Sequence, residues 1–248
     1  MNIAMLVFER ITVLDVARSY EVLVRLPGAT VQMVGLARGV VRSDNDACGI
    51  AAVLAVEGVA RADVLVVPGG FGTRALEKDE RVKAWIRAID QTTTVTASVC
   101  TGAMVLGAAG LLQGRRANTH WALRERLREH GAIPEGARVV RDGKYASAAG
   151  VSAGIDLALT LAAELASPEL AQAIQLGIEY DPAPPFDAGS PERAPAAIRD
   201  AVLARIRDRD ATLRGCAGSR ASRGGRATPE RVGDPRTSSS PRLARSRA

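Results

Sequence analysis

Cysteine and histidine are scarce here: the 248-residue chain holds Cys48, Cys100 and Cys216, and two histidines, His120 and His130. Three scattered cysteines build no disulfide framework, and without paired Cys or His at ligand spacing they build no zinc site. Apolar runs are short too, none reaching the ~18 residues of a membrane span. The opening MNIAMLVFERITVLD lacks a basic n-region and a cleavage site, so it reads as a first strand rather than a signal peptide. A cytoplasmic chain without a membrane partner is the expectation.

Basic surplus is also missing from most of the chain, despite a net charge of +6 and a pI near 9.8. Residues 205–248 carry twelve Arg against four acidic residues, which leaves 21 basic and 23 acidic residues in 1–204. The body is therefore slightly acidic, and the compositional case for a nucleic-acid-binding domain falls away. From about Arg214 the chain turns to Arg, Ser, Gly, Pro and Thr without hydrophobic periodicity. A domain over 1–210 and a basic, disordered tail over 211–248 are predicted. Such a tail is either a solvated extension or a non-specific contact for acidic surfaces.

What is present is a regular alternation of element types. Short β-rich runs at 2–8, 30–36, 64–67 and 93–99 alternate with helical patterns at 15–26, 79–89, 101–112, 121–130 and 150–165. Asp79 is an N-cap candidate, and Asp142-Gly143 suits a hairpin within 139–146. This order predicts an α/β fold with a mostly parallel sheet covered on both faces, and such sheets place sites at the carboxyl ends of their strands.

Two strand ends carry unusual punctuation: Pro68-Gly69-Gly70 and Ser98-Val99-Cys100-Thr101-Gly102. A strand running straight into a helix, with a small residue just after the junction, forms a nucleophile elbow that projects the Cys100 side chain. Facing a helix N-terminus, such a thiol is expected to have a lowered pKa and to be a thiolate near neutral pH. The bland alternative, a small buried core residue, stands equally on spacing alone. Gly69-Gly70 brings backbone close to a ligand, with the Gly70 N–H expected to be free; paired with the Thr101 N–H it would make an oxyanion-type hole. A plain strand-ending turn is the alternative there. Asp15 opens the first helix, and an ordinary helix-start role suffices for it on the residues alone.

Together these segments resemble the PfpI-type family of the class I glutamine-amidotransferase-like superfamily, and within it the isocyanide hydratase branch. The matching segments are 13–15 (VLD), 64–72 (VLVVPGGFG), 98–121 (SVCTGAMVLGAAGLLQGRRANTHW), 139–143 (VVRDG), 153–165 (AGIDLALTLAAEL) and 178–196 (IEYDPAPPFDAGSPERAPA). They span roughly residues 1–210, and the last is the most specific to the branch. The resemblance implies a flavodoxin-like three-layer sandwich and a homodimer. It further implies attack of Cys100 on the terminal carbon of an isocyanide to give a thioimidate, with Asp15 as acid/base and release of an N-substituted formamide. No metal or organic cofactor is implied. Burial beside the thiol should raise the Asp15 pKa.

The chain departs from the branch at two places. Arg18-Ser19 stands where relatives carry Gly-Pro, and Ala148-Ala149-Gly150 where they carry three glycines before the long helix, a wall close to the substrate. Thr101 occupies the position where other PfpI-type proteins often have His, which argues against a Cys-His dyad. His120, before Trp121, fits either direct catalysis or packing. Two other functions compete. One is a ligand- or redox-sensing domain like those of AraC-type regulators, without the helix-turn-helix half that reads DNA. The other is a different cysteine chemistry, a hydrolase or glyoxalase.

Overall fold

Runs of Val, Ile and Leu too short for a helix and apolar on both faces form the centre of a sheet. The computed structural model describes residues 1–221, with side chains through 211. Its main sheet has seven strands in the order Val139–Asp142, Tyr145–Ala148, Val95–Val99, Val64–Val67, Asn2–Leu6, Thr30–Gly35, Leu54–Ala55. Every neighbouring pair is parallel except the first. That antiparallel pair is the hairpin expected at Asp142-Gly143, with Gly143 at φ 59°. Val64–Val67 and Val95–Val99 are buried at every position; the first is wholly apolar, and the second alternates Thr96 and Ser98 with apolar residues.

Helices flank this sheet in two groups. Val13–Leu23 packs on Gly154–Leu165, which packs on Pro168–Gly177; Thr73–Leu76 and Glu80–Asp90 pack on Gly102–Ala108, with the 3-10 helix Trp121–His130 beside it. The result is the α/β sandwich the sequence predicts. Phe8, Ile3, Met5, Leu65, Ile86 and Met104 are among its largest fully buried side chains. Asp79 caps its helix as expected, accepting from Arg81 N at 2.9 Å and Val82 N at 3.2 Å, an arrangement worth about 1 kcal/mol.

Three elements differ from the sequence pattern. The helix expected over 101–112 stops at Ala108, followed by glycines in the left-handed region at Gly110 and Gly114. Residues 121–130 form a 3-10 rather than an α-helix. A hairpin of Gly39–Arg42 and Gly49–Ala52 was not legible, because its connection 43–48 has no two-residue turn motif and closes instead through Asp46 at φ 60°.

Residues Met1–Leu203 form one compact unit. The last helix runs Ala196–Ala221, past the boundary expected at residue 210. From residue 222 the expected basic tail lies outside the described residues. No helix among the described residues is long and apolar enough to cross a membrane.

Candidate active site

Cys100 sits where the Val95–Val99 strand meets the Gly102–Ala108 helix, in the left-handed region at φ 54°. A non-glycine residue there is held against its preference, so its surroundings must fix it. Its N–H donates to Ala148 O at 3.3 Å and Ala149 O at 2.9 Å, and its carbonyl accepts from Thr119 Oγ1 at 2.7 Å. Gly102 is required by space: a Cβ at that position would lie 1.9 Å from Val67 O. The elbow is thus built by three neighbouring segments, and it leaves Cys100 with 5% exposure.

Asp15 reaches the same point from the first turn of Val13–Leu23 and is fully buried. Its Oδ2 accepts from Gly69 N at 2.9 Å, while its buried Oδ1 has no hydrogen-bond partner. Burial lifts its pKa from 3.8 to about 7. The Gly69 N–H and the Cys100 thiol oppose that rise, as does Arg18, while the charge of Asp44 adds to it. The direction is the one expected.

The thiolate expectation is corrected. Burial, and then the neighbouring Asp15 charge, push the Cys100 thiol up; the N–H and hydroxyl of Thr101 oppose them without prevailing. A seven-residue helix with its partial dipole does not outweigh a carboxylate in a dry site. Cys100 and Asp15 therefore behave as a pair: the first proton leaves near pH 7 and the second well above the usual thiol range. Each therefore perturbs the ionisation of the other.

The role expected of Gly70 is also corrected. Its N–H is not free but donates to Thr101 Oγ1 at 2.9 Å, and that hydroxyl donates to Gly70 O at 3.1 Å. The donor that matters in this loop is Gly69, which sequence reading placed beside Gly70 without a role. A Cβ on Gly69 would sit 2.6 Å from Thr101 N and 2.7 Å from Asp15 Oδ2, so only glycine lets the acid, the loop and the elbow meet. The PGG signal located the loop; which of its two N–H groups points at the acid depends on the tertiary fold.

Gly150 caps the turn Val151–Ala153 two residues past Ala148, and a Cβ on it would lie 3.2 Å from His120 Cδ2. His120 Nδ1 accepts from Ala122 N at 3.3 Å, so the neutral ring carries its proton on Nε2. Burial, followed by the charge of Arg74, lowers its pKa and keeps it neutral at pH 7. Ala148 is fully buried in the core, and its carbonyl helps hold the elbow. Arg18 is half-buried one turn beyond Asp15 and lines a cavity of about 350 Å³ with Ala17, Glu21, Ile155 and Tyr180. Neither Asp15 nor Cys100 lines that cavity or another, of about 320 Å³, beside Phe8 and Val40.

A left-handed cysteine elbow with a buried carboxyl at the strand ends of a parallel sheet defines the class, and the chain belongs to the DJ-1/PfpI family, matching it over residues 1–164. It is 45% identical over 200 residues to the isonitrile hydratase of Pseudomonas putida, covering 81% of this chain and 87% of that protein. It is 35% identical over 121 residues to the transcriptional regulator CdhR of Pseudomonas aeruginosa, covering 47% of this chain but 35% of the regulator. Among solved structures, a ThiJ/PfpI family protein from Pseudomonas syringae superposes with a TM-score of 0.81 at 38% identity, over 85% of this chain and 89% of that one. Drosophila melanogaster DJ-1beta, at 23% identity and a TM-score of 0.65 over 73% of this chain and 98% of that one, shares the fold.

Proposed function

We propose that the chain hydrates isocyanides to N-substituted formamides through a thioimidate on Cys100. The observation that carries this reading is the fully buried Asp15 carboxyl beside the left-handed Cys100 elbow, with one oxygen on Gly69 N–H and the other unpartnered. An isocyanide carbon accepts a nucleophile only when a proton reaches that carbon as well, and this pair supplies both. Asp15 takes the thiol proton as sulfur bonds to carbon, then delivers it to the same carbon, giving R–N=CH–S–Cys100. Water then adds to that carbon, the C–S bond breaks, the thiol regains a proton and R–NH–CHO leaves. Thr101 N–H, which already favours the charged sulfur, is the backbone donor placed for developing charge. The likeness to an isonitrile hydratase along most of both chains supports the same reading.

The test is turnover of a simple aromatic isocyanide, read as formamide appearance, with Cys100→Ala and Asp15→Asn alongside. Both variants are expected to lose turnover. Wild-type rates in either one would sink the mechanism. A folded wild type that turns over no isocyanide would favour another cysteine chemistry.

A further inference from the structure

The turn 43–48, which joins the Gly39–Arg42 and Gly49–Ala52 strands, has no place in the chemistry above, yet it docks on the two segments that hold Asp15. Ile11 bridges Ser43 on one side and Gly70 on the other, and Asp44 N donates to Ile11 O at 3.2 Å. The Asp44 carboxylate continues this arrangement with side-chain bonds. Its Oδ2 accepts from Thr12 Oγ1 at 3.0 Å, and its Oδ1 accepts from Phe71 N at 3.2 Å. Thr12 is the N-cap residue of the helix that carries Asp15, and Phe71 directly follows Gly69-Gly70. One carboxylate therefore ties the start of the acid's helix to the loop whose N–H binds the acid.

A second observation shows the same priority. A threonine at an N-cap ordinarily turns its oxygen toward the N–H groups of its own helix. Thr12 makes no such side-chain cap, and its hydroxyl is given to Asp44 instead. The turn itself is braced for this work: Ser43 Oγ donates to Asn45 Oδ1 at 2.8 Å and accepts from Cys48 N at 3.1 Å, while Ser43 N donates to Cys48 O at 2.9 Å.

We infer that Asp44 is a positioning residue for the Asp15–Cys100 pair, clamping Thr12 to Phe71 so that Asp15 meets Gly69 N–H and the thiol together. The inference rests on the function proposed above for that pair. Asp44 also acts through its charge. The charged and titratable groups felt by Asp15 are Cys100 from the elbow, Arg18 from its own helix and Asp44 from this turn. Arg18 favours the carboxylate and Asp44 opposes it, so removing the Asp44 charge lets Asp15 ionise at lower pH.

Two variants of the full chain separate clamp from charge. Asp44→Asn keeps the shape and a hydrogen-bonding group for each partner but removes the charge; Asp44→Ala removes both. Two readouts are followed against pH: isocyanide turnover, and iodoacetamide alkylation at Cys100. Alkylation is measured on the Cys100 peptide by mass, because Cys48 is exposed and also reacts. Asp44→Asn is expected to keep plateau turnover within roughly threefold while its acidic limb moves down by about half a pH unit in both readouts. Asp44→Ala is expected to lose tenfold or more in kcat with KM little changed. Unmoved midpoints in Asp44→Asn overturn the electrostatic role, and that holds even where Asp44→Ala fails to fold. Wild-type kcat in a folded Asp44→Ala overturns the clamp. If the wild type turns over no isocyanide, the proposed reaction fails, but the alkylation midpoints still decide the charge effect.

Discussion

Asp15 is the residue at which the proposed chemistry and the stability of the fold meet. Its folded pKa, about 7, lies above its unfolded value of 3.8. For such a group the favourable contribution is present below the unfolded value and lost as pH rises through the folded one. From pH 4 to 7 the wild type should therefore surrender stability at this position, on the order of 4 kcal/mol in total. Asp15→Asn should raise the thermal midpoint at pH 8 and change it little at pH 3.5, a comparison made by calorimetry at both pH values. Equal effects at the two would contradict the buried-acid account. The same substitution should cost ~100-fold or more in kcat/KM, the usual size of a lost acid/base group. The stability gain and activity loss together mark a carboxyl kept for function. At Gly69 the constraint is steric: Gly69→Ala puts a methyl 2.7 Å from Asp15 Oδ2, and we expect turnover to fall at least tenfold while circular dichroism stays native.

At the scale of elements, the elbow is a strand-to-helix turn whose strain is offset by neighbours. Thr119 supplies one of the three bonds that lock Cys100. Thr119→Val keeps the volume but leaves the Cys100 carbonyl without that donor, a loss of about 1–3 kcal/mol. Urea denaturation should show that loss, and alkylation of Cys100 should change with it. Val64–Val67 was legible as a continuous apolar run and Val95–Val99 as a β-branched one, and the Asp79 helix because its cap and period agree. The hairpin at 39–52 was not, since its connection 43–48 carries no two-residue turn motif. Cys100 could be singled out from the punctuation around it, Asp15 only through the family resemblance. The rise of the thiol pKa could not, because it depends on burial, a tertiary property, and the helix dipole taken alone points the other way. Gly69 was overlooked for Gly70 for the same reason: which N–H meets the acid is decided by where the Asp15 helix lands.

At the scale of the whole molecule, apolar side chains remain on the outside, Leu14 at 47% and Val40 at 60% exposure among them. Leu14 adjoins Asp15, so a partner covering it would also wall the site. We expect the proposed homodimer to sediment at twice the 26.0 kDa chain mass, and Leu14→Glu to shift it toward monomer and reduce turnover with it; a monomeric wild type of full activity would remove this part of the account. An isocyanide without net charge is not steered by the protein's field, so its kcat/KM should not change with salt. The central claim is that carbon bonds to Cys100 sulfur and nothing leaves. Rapid-quench intact-mass spectrometry during isocyanide turnover tests it most directly. The expected result is a transient species heavier by the full mass of the isocyanide, located on the Cys100 peptide and absent from Cys100→Ala. Formamide production with Cys100 unmodified at every time point, and persisting in Cys100→Ala, would contradict it.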